Sequence, residues 1–271
     1  MSYDPDAVVR YFDAFGPAEY ERHDTSPEQR MKLALHMRCL RTYLDPGSRV
    51  LEVGAGPGRF TEIMAGLDCQ ITVVDVSPTQ LRLNEERARA EGYDDAIDDW
   101  ILADVVDLSS LESQSYDAVV AFGGPFSYVL DRRQQALDQC LDVLTTDGRI
   151  LLSVMSLWGT IHAFLGGVQK LDAREIEAVV RTGDVTPATA PSSIEGGHFC
   201  HMFTADELEA LLTGSGLTVS FMGASNALCT RWSEILEDEE AFTTVLALEE
   251  EATLASGALD MGTHIIAVAD R

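Results

Sequence analysis

Lysine is nearly absent from this chain. Lys32 and Lys170 are its only two lysines, and its 19 basic residues face 45 acidic ones, for a formal net charge of −26. An acidic surface repels phosphate backbones, so we expect no nucleic acid as partner or substrate. An acid-rich, lysine-poor composition also resembles that of proteins from organisms with high internal salt, so we predict a halophilic protein.

Long apolar runs and paired cysteines are also missing. No run approaches the roughly 20 residues of a membrane span, and the first residues lack a signal peptide's charged-then-apolar layout. We therefore expect a cytoplasmic protein with no membrane partner. The five cysteines are scattered and never form CxxC, which indicates reduced thiols. A length of 271 residues with 46% hydrophobic content suits a single domain spanning residues 1–271.

The most informative segment is a glycine-rich turn. Gly54, Gly56 and Gly58 stand at alternate positions after the apolar run 50–53. Glycines here allow positive φ and let a ligand lie against bare backbone. A dinucleotide fingerprint would need GxGxxG, and Arg59 occupies the position of its third glycine. The spacing GxGxG therefore disfavours a dinucleotide site.

Apolar runs alternate with helical patterns along the first part of the chain. Residues 1–44 look helical, and strands are predicted at 49–53, 71–75, 100–103, 116–122 and 149–155. This alternation indicates βαβ units and a doubly wound parallel sheet. Two later strands are predicted at 217–223 and 264–269, with one helical stretch over 231–255 between them. Thr204 and Glu207 form a predicted capping box for a further helix.

Three acidic residues accompany the glycine turn in the sequence. Glu52 precedes the turn, Asp75 ends the second strand and Asp104 follows the third. Over residues 45–155 this pattern resembles the class I S-adenosylmethionine (SAM)-dependent methyltransferases, in their small-molecule branch. The resemblance implies an α/β fold: a Rossmann-like, seven-stranded, mostly parallel sheet with its last strand antiparallel, plus a helical cap. It also implies SAM as cofactor.

The resemblance implies a role for each acid. Asp75 would accept both ribose hydroxyls, and Asp104 would approach the adenine amino group beside the Val105 amide. Tyr20 and Arg22 would close over the cofactor, Arg22 on its methionyl carboxylate, although a solvated helix face explains them equally well. The expected cofactor-binding residues are Glu52, Gly54, Ala55, Gly56, Gly58, Asp75, Val76, Asp104, Val105, Phe122, Gly123, Tyr20 and Arg22.

The residues at the end of the fourth strand limit the chemical classes of acceptor that we expect. Enzymes of the family that methylate base amines resemble one another in an Asn/Asp-Pro-Pro-aromatic motif here. This chain has Phe122 in place of the acid or amide, and Gly123 and Gly124 in place of the prolines. The difference argues against exocyclic amines of bases. It also removes the carboxylate of metal-dependent relatives, so we expect no metal.

Residues 156–203 fit no βα unit, and we predict that they form a cap over the acceptor together with residues 1–44. His198 and His201 are the candidate general bases, because neutral imidazole accepts a proton near pH 7. Tyr128 joins them as a candidate catalytic residue. A histidine in a glycine-rich loop can equally bond backbone, and a zinc site with Cys200 lacks a fourth ligand.

These observations predict a SAM-dependent methyltransferase that acts on a small-molecule acceptor in a capped pocket. Aromatic residues would line that pocket and favour an apolar or planar acceptor: Phe122, Phe126, Tyr128 and Trp158. A catalytically silent SAM-binding sensor or partner subunit is the alternative, followed by an NAD-dependent oxidoreductase. The sequence leaves open the acceptor, its reacting atom and whether the chain forms a homodimer.

Overall fold

A computed structural model describes residues 2–191 and 199–271. In this part of the chain, seven strands form the main sheet in the order β3-β2-β1-β4-β5-β9-β8, and two short strands, β6 and β7, pair separately. The strands are β1 (Arg49–Val53), β2 (Gln70–Asp75), β3 (Ile97–Leu102), β4 (Tyr116–Ala121), β5 (Leu144–Met155), β6 (Asp184–Val185), β7 (Cys200–His201), β8 (Thr218–Ala224) and β9 (His264–Asp270).

The direction of the strands confirms the predicted sheet. Strands β1 to β5 pair in parallel, and β9 lies antiparallel between β5 and β8. Strands β1, β2 and β4 are buried at almost every position, as expected of parallel strands covered on both faces. The carboxyl ends of β1, β2 and β4 therefore meet at one edge, where ligands bind in open α/β sheets.

Helices cover both faces of the sheet. They are α1 (Pro5–Phe15), α2 (Ala18–Glu21), α3 (Pro27–Tyr43), α4 (Arg59–Ala65), α5 (Pro78–Glu91), α6 (Pro125–Tyr128), α7 (Arg133–Val143), α8 (Leu157–Ala163), α9 (Leu165–Val168), α10 (Ala173–Thr182), α11 (Ala205–Gly214), α12 (Ser233–Leu236) and α13 (Glu239–Ala252). One core joins α6, α7 and α11 to the sheet, and the other joins α3, α4 and α13 to its opposite face. The result is a three-layer α/β/α sandwich.

The segment after β5 builds a smaller unit beside the strand ends. It contains α8, α9, α10 and the β6–β7 pair, and its apolar side chains form a cluster with Val8 of α1 and Tyr128 of α6. The N-terminal helix and this segment thus lie on the same side of the binding edge. Their joint role as a cap stays a prediction.

Several predicted boundaries need correction. Strand β3 begins at Ile97 and β5 at Leu144, so both start earlier than their apolar runs. The predicted helix over 231–255 is two helices, because Asp238 accepts from the Ala241 amide and caps a new start at α13. All five cysteines are buried and free of disulfides. No described helix combines the length and apolar character of a membrane span.

Candidate active site

The glycine turn after β1 contains three residues with positive φ. Gly54 has φ +65°, Gly56 has φ +57° and Gly58 has φ +97°, where side chains are strained. A Cβ on Gly54 would lie 2.4 Å from Pro125 Cγ, so this position must be bare for α6 to pack. A Cβ on Gly56 would meet nothing closer than Glu19 Cγ at 3.9 Å. Gly56 therefore offers open backbone to a ligand.

Asp75 ends β2 beside this turn. Its two carboxylate oxygens accept from the amides of Gly56 and Ser77, each at 2.8 Å. Burial raises the pKa of Asp75 to about 6, against the lowering effect of these amides. A carboxylate has about four lone-pair sites, so each oxygen keeps one for a vicinal hydroxyl. This geometry fits a ribose.

Asp104 is fixed in the same cavity by contacts from two parts of the chain. The hydroxyl of Tyr3 donates to Asp104 Oδ2 at 2.7 Å, and the amide of Val106 donates to Oδ1 at 3.0 Å. Val105 also lines the cavity. Asp104 and Val105 thus line the same cavity, and their contact with adenine stays a prediction.

These groups surround one cavity, which we call the cofactor cavity. Most of the predicted cofactor-binding residues line it, together with the predicted catalytic Tyr128: Arg22, Gly54, Ala55, Gly56, Asp75, Val76, Asp104, Val105, Phe122, Gly123 and Tyr128. Glu52, Gly58 and Tyr20 do not. Direct contact of any of these residues with SAM stays a prediction.

Glu52 lies behind the turn instead of in the cavity. It is buried, and the hydroxyl of Thr61 donates to its Oε2 at 2.5 Å. Asn84 donates to Thr61 Oγ1 at 2.9 Å and to the Gly56 carbonyl at 3.2 Å, and it accepts from the Trp100 indole at 3.0 Å. Glu52 thus belongs to a polar network that supports the glycine turn.

Gly58 and Tyr20 also serve packing. A Cβ on Gly58 would lie 3.3 Å from Asn84 and from the Tyr93 hydroxyl. The hydroxyl of Tyr20 donates to Glu62. The guanidinium groups of Arg59 and Arg87 lie over the Tyr20 ring, at 4.0 and 3.3 Å from its centroid. Tyr20 therefore links the N-terminal segment to α4 and α5. Gly58 allows the close approach of Asn84 and Tyr93.

The N-terminal segment is hydrogen-bonded to the start of α5, and several of its side chains line the cofactor cavity. Ser77 donates to Asp13 at 2.6 Å, and Gln80 donates to the carbonyls of Phe12 and Gly16. Beyond α2, the Arg22 guanidinium pairs with Glu19 at 3.1 Å. Because Arg22 and Glu19 both line the cavity, the segment contributes opposite charges directly above the glycine turn.

His201 cannot act as the predicted base in this arrangement. Its Nδ1 bonds Asp184 at 2.7 Å, its Nε2 bonds Glu207 at 2.9 Å, and its side chain is 2% exposed. Both ring nitrogens are occupied, so His201 ties β7 to β6 and α11. For the same reason Glu207 completes only half of its predicted capping box, through its amide and Thr204. His198 lies outside the described residues.

The predicted aromatic lining is divided between different places. Phe122 and Tyr128 line the cofactor cavity, whereas Phe126 is fully buried in the core and Trp158 is 48% exposed. The expectation of a planar acceptor held by four aromatic rings therefore fails for Phe126 and Trp158.

Two further cavities lie near the cofactor cavity, and each shares lining residues with a neighbouring cavity. The first, which we call the junction cavity, has a volume of about 200 Å³ and shares Arg22, His23, Phe60 and Gly123 with the cofactor cavity. The second, the cap cavity, has a volume of about 450 Å³ and is formed largely by α8, α9, α10 and the β6–β7 pair. It shares Met155, Thr160 and Phe164 with the junction cavity.

A family model described as a methyltransferase domain matches residues 50–148, which include the glycine turn, Asp75, Asp104 and Phe122. The match covers 99 of the 271 residues and supports a class I SAM-dependent methyltransferase domain over this part of the chain. The matched domain and the fold imply SAM as the cofactor.

Curated relatives of the methyltransferase include two named ubiquinone biosynthesis O-methyltransferase. The one from Xanthomonas axonopodis pv. citri (strain 306) is 28% identical over 149 residues, and the one from Xanthomonas oryzae pv. oryzae (strain PXO99A) is 29% identical over 149 residues. Each match covers 54% of this chain and 56% of the relative. The methyltransferase thus spans about half the length of the curated relatives it matches.

Solved structures share the fold of the methyltransferase. A possible histamine N-methyltransferase from Thermotoga maritima has a TM-score of 0.58 at 17% identity, covering 96% of this chain and 98% of that one. The putative methyltransferase in a complex with the Haloferax volcanii activator Trm112 has a TM-score of 0.59 at 16% identity, covering 97% of this chain and 96% of that one. The [4+2]-cyclase SpnF has a TM-score of 0.55 at 18% identity, covering 89% of this chain and 80% of that one. At these identities the likeness shows the fold alone.

Sequence reasoning missed one side chain of the methyltransferase at the junction cavity. His36 lies on α3, is 4% exposed, and its ring packs 4.9 Å from that of Phe122 and 5.5 Å from that of Phe60. Burial lowers the pKa of His36 to about 4, so the ring is neutral at pH 7. In the sequence, His36 stands among apolar residues on one helix face, a pattern typical of the core. Only the fold shows that α3 lies at the end of β4.

Proposed function

We propose that this methyltransferase transfers the methyl group of SAM to a small-molecule acceptor bound in the junction cavity. One observation carries the proposal. Arg22, His23, Phe60 and Gly123 line both the cofactor cavity and the junction cavity. Two ligands can therefore lie side by side at the end of β4.

The residues of the cofactor cavity fit SAM. The open backbone at Gly56 and the fixed carboxylates of Asp75 and Asp104 can hold its nucleoside. When bound, SAM supplies a methyl group already activated by its sulfonium. The chain then has to orient the acceptor, and such positioning supplies roughly 7–11 kcal/mol in favourable cases.

His36 is the side chain that can receive a proton from the acceptor. Its Nδ1 bonds the Lys32 carbonyl at 2.8 Å, which leaves Nε2 as the basic nitrogen of the neutral ring. Phe60 and Phe122 flank the ring and exclude water from it. The name of the curated relatives, O-methyltransferase, supports an oxygen as the acceptor atom.

Binding and transfer test this proposal separately. Calorimetry with S-adenosylhomocysteine (SAH) measures the cofactor site, and incubation with methyl-labelled SAM and a metabolite extract measures transfer. We expect micromolar or tighter SAH binding and label in products small enough to pass an ultrafiltration membrane. SAH binding without any labelled product would favour the silent SAM-binding protein instead. Binding of NADH with no binding of SAH would favour an oxidoreductase.

A further inference from the structure

The junction cavity concentrates positive charge in a strongly acidic protein. The chain has 45 acidic and 19 basic residues, yet among the described residues this cavity is lined by Arg22 and Lys32 and by no carboxylate. His23, His36 and His264, half of the chain's six histidines, line it as well. Such a lining selects against cations and favours an anion.

Lys32 is the central group of this lining. It is one of only two lysines, and no carboxylate in the described ranges lies within ion-pairing distance of its ammonium group. Burial lowers the pKa of Lys32 to about 8, with Arg22 acting in the same direction and Cys229 and Glu28 opposing. The ammonium group therefore remains largely charged at pH 7. A half-buried cation without a paired anion is unfavourable unless a ligand supplies one.

Two neighbouring side chains also have buried nitrogen atoms without a hydrogen-bond partner in the described ranges. His23 is 6% exposed, and within residues 2–191 and 199–271 its Nδ1 has no hydrogen-bond partner. Arg22 pairs with Glu19 through Nη1, but its buried Nε has no partner in the same ranges. If Arg22 binds the cofactor carboxylate as the sequence predicted, Lys32 still remains for a second anion.

The cap cavity has the opposite character. Its described lining is almost entirely aliphatic and aromatic, for example Ile161, Val179 and Met202, and its one charged side chain is the exposed Lys170. Its volume of about 450 Å³ lies within the range of small-molecule pockets, roughly 300–1,000 Å³. Met155, Thr160 and Phe164 form the common wall between this cavity and the junction cavity.

We propose that the acceptor is an amphiphilic anion, with an anionic oxygen group held by Lys32 and an apolar arm extending past Met155 into the cap cavity. The reacting atom then lies between these two anchors, beside Gly123 and His36. This inference deepens the proposed function and rests on it. Charge selects one end of the acceptor, and apolar burial selects the other.

Three model ligands with ten-carbon chains and one short anion can separate the two anchors. We would titrate the SAH-saturated protein with decanoate, decanol, decyltrimethylammonium and butanoate, using calorimetry. Decanoate should bind at least tenfold more tightly than decanol, because hydrogen bonds between charged groups are stronger than those of a neutral hydroxyl. Decyltrimethylammonium should not bind, and butanoate should bind much more weakly than decanoate. Equal affinity for decanoate and decanol would overturn the proposal.

The two lysines provide a matched pair of variants. Lys32→Met should lower decanoate affinity at least tenfold while leaving decanol affinity within about twofold, and the unchanged decanol affinity shows that the cavity still folds. Lys170→Met should leave both affinities unchanged. If Lys170→Met instead abolishes the preference for decanoate, the anion lies at the outer end of the cap cavity and the proposed orientation is wrong.

A third variant tests the apolar arm. Val179 is 5% exposed on the inner face of α10, and Val179→Phe should fill part of the cap cavity. We expect weaker decanoate binding with unchanged butanoate binding; equal losses for both would contradict the arm's placement. SAH affinity is recorded in each case. In the parent protein, absence of a decanoate preference with intact SAH binding refutes only this inference, whereas absence of SAH binding refutes the proposed function.

Discussion

His36 donates its Nδ1 proton to the main-chain carbonyl oxygen of Lys32 at 2.8 Å, one turn earlier on α3. A carbonyl can only accept, so this bond fixes the tautomer of the neutral ring. One turn of α3 therefore presents both a basic nitrogen and an ammonium group at the junction cavity. The proposed proton removal and the proposed anion binding would thus both depend on this helix.

Replacing His36 tests its role as proton acceptor. His36→Phe keeps a ring of similar shape among Phe60 and Phe122 but has no nitrogen. We expect kcat for methyl transfer to fall by about 10²-fold, within the range of general-base contributions, because the proton then has no acceptor. SAH affinity should change less than twofold. Unchanged kcat, measured with labelled SAM, would show that no base is needed at this position.

His201 should behave in the opposite way. Burial alone would lower the pKa of His201, but its hydrogen bonds to Asp184 and Glu207 raise it. A raised pKa means stability that is fully present below the unfolded value of 6.5 and is lost as pH rises through the folded value. His201→Gln should therefore cost more free energy of unfolding at pH 5.5 than at pH 8.5.

The size of that loss is limited by solvent. Asp184 and Glu207 have side chains 27% and 38% exposed, so we expect about 2 kcal/mol at pH 5.5, below the value for a fully buried pair. Urea unfolding at both pH values provides the measurement. Equal losses at the two pH values, or a loss of kcat with unchanged stability, would contradict a purely structural role.

Most of the predicted cofactor-binding residues line the cofactor cavity, because local chemistry determines where they lie. Gly54 and Gly56 need positive φ, and Asp75 ends a strand whose neighbours in the sheet are set by βαβ topology. The helix start at Ser77 was also readable, because its hydroxyl accepts from the Gln80 amide as a cap should. These features depend on a few neighbouring residues.

The acceptor side depends on contacts between distant residues. His36 and His264 are 228 positions apart, yet their ring centroids lie 6.5 Å apart beside the junction cavity. The sequence predicts His201 as a base because it does not show the contact with Asp184. Asp184 lies 17 positions away and faces His201 across the β6–β7 pair. Helical or strand periodicity cannot reveal either relationship.

Asp75 offers a direct test of the cofactor cavity. Asp75→Asn replaces one acceptor oxygen by an amide group that must face the Gly56 or Ser77 amide, donor against donor. We expect SAH affinity to fall at least tenfold by calorimetry. The matched control is Asp98→Asn, an exposed carboxylate on β3, which should bind SAH like the parent. Equal affinity in both variants would remove Asp75 from the cofactor site.

Salt should stabilise the whole chain. A net charge of −26 produces repulsion that falls as the Debye length shrinks from about 30 Å at 0.01 M to about 3 Å at 1 M salt. We expect the melting temperature to rise by several degrees between dilute buffer and 1 M KCl. The same rise with KCl and with NaCl would support charge screening, whereas an insensitive melting temperature would refute the halophilic prediction.

Glu52 should make stability depend on pH through its burial behind the glycine turn. Desolvation raises the pKa of Glu52 from 4.5 to about 8, against the lowering effect of the Thr61 hydroxyl. The native state therefore favours the protonated acid. Its stabilising contribution is complete below about pH 4.5 and is lost as pH rises to about 8. Above that pH the fold must hold a buried carboxylate.

Glu52→Gln keeps the shape of the protonated acid and cannot ionise. Relative to the parent, the variant should gain free energy of unfolding steadily between pH 5 and 8, on the order of 4 kcal/mol in total, since each pKa unit corresponds to about 1.4 kcal/mol. Urea unfolding across this range measures the difference. The exposed Glu112 supplies the control, because Glu112→Gln should show a difference that does not vary with pH. A constant difference for Glu52→Gln as well would mean that Glu52 is already ionised in the folded protein at pH 5, with Thr61 and Asn84 outweighing its desolvation.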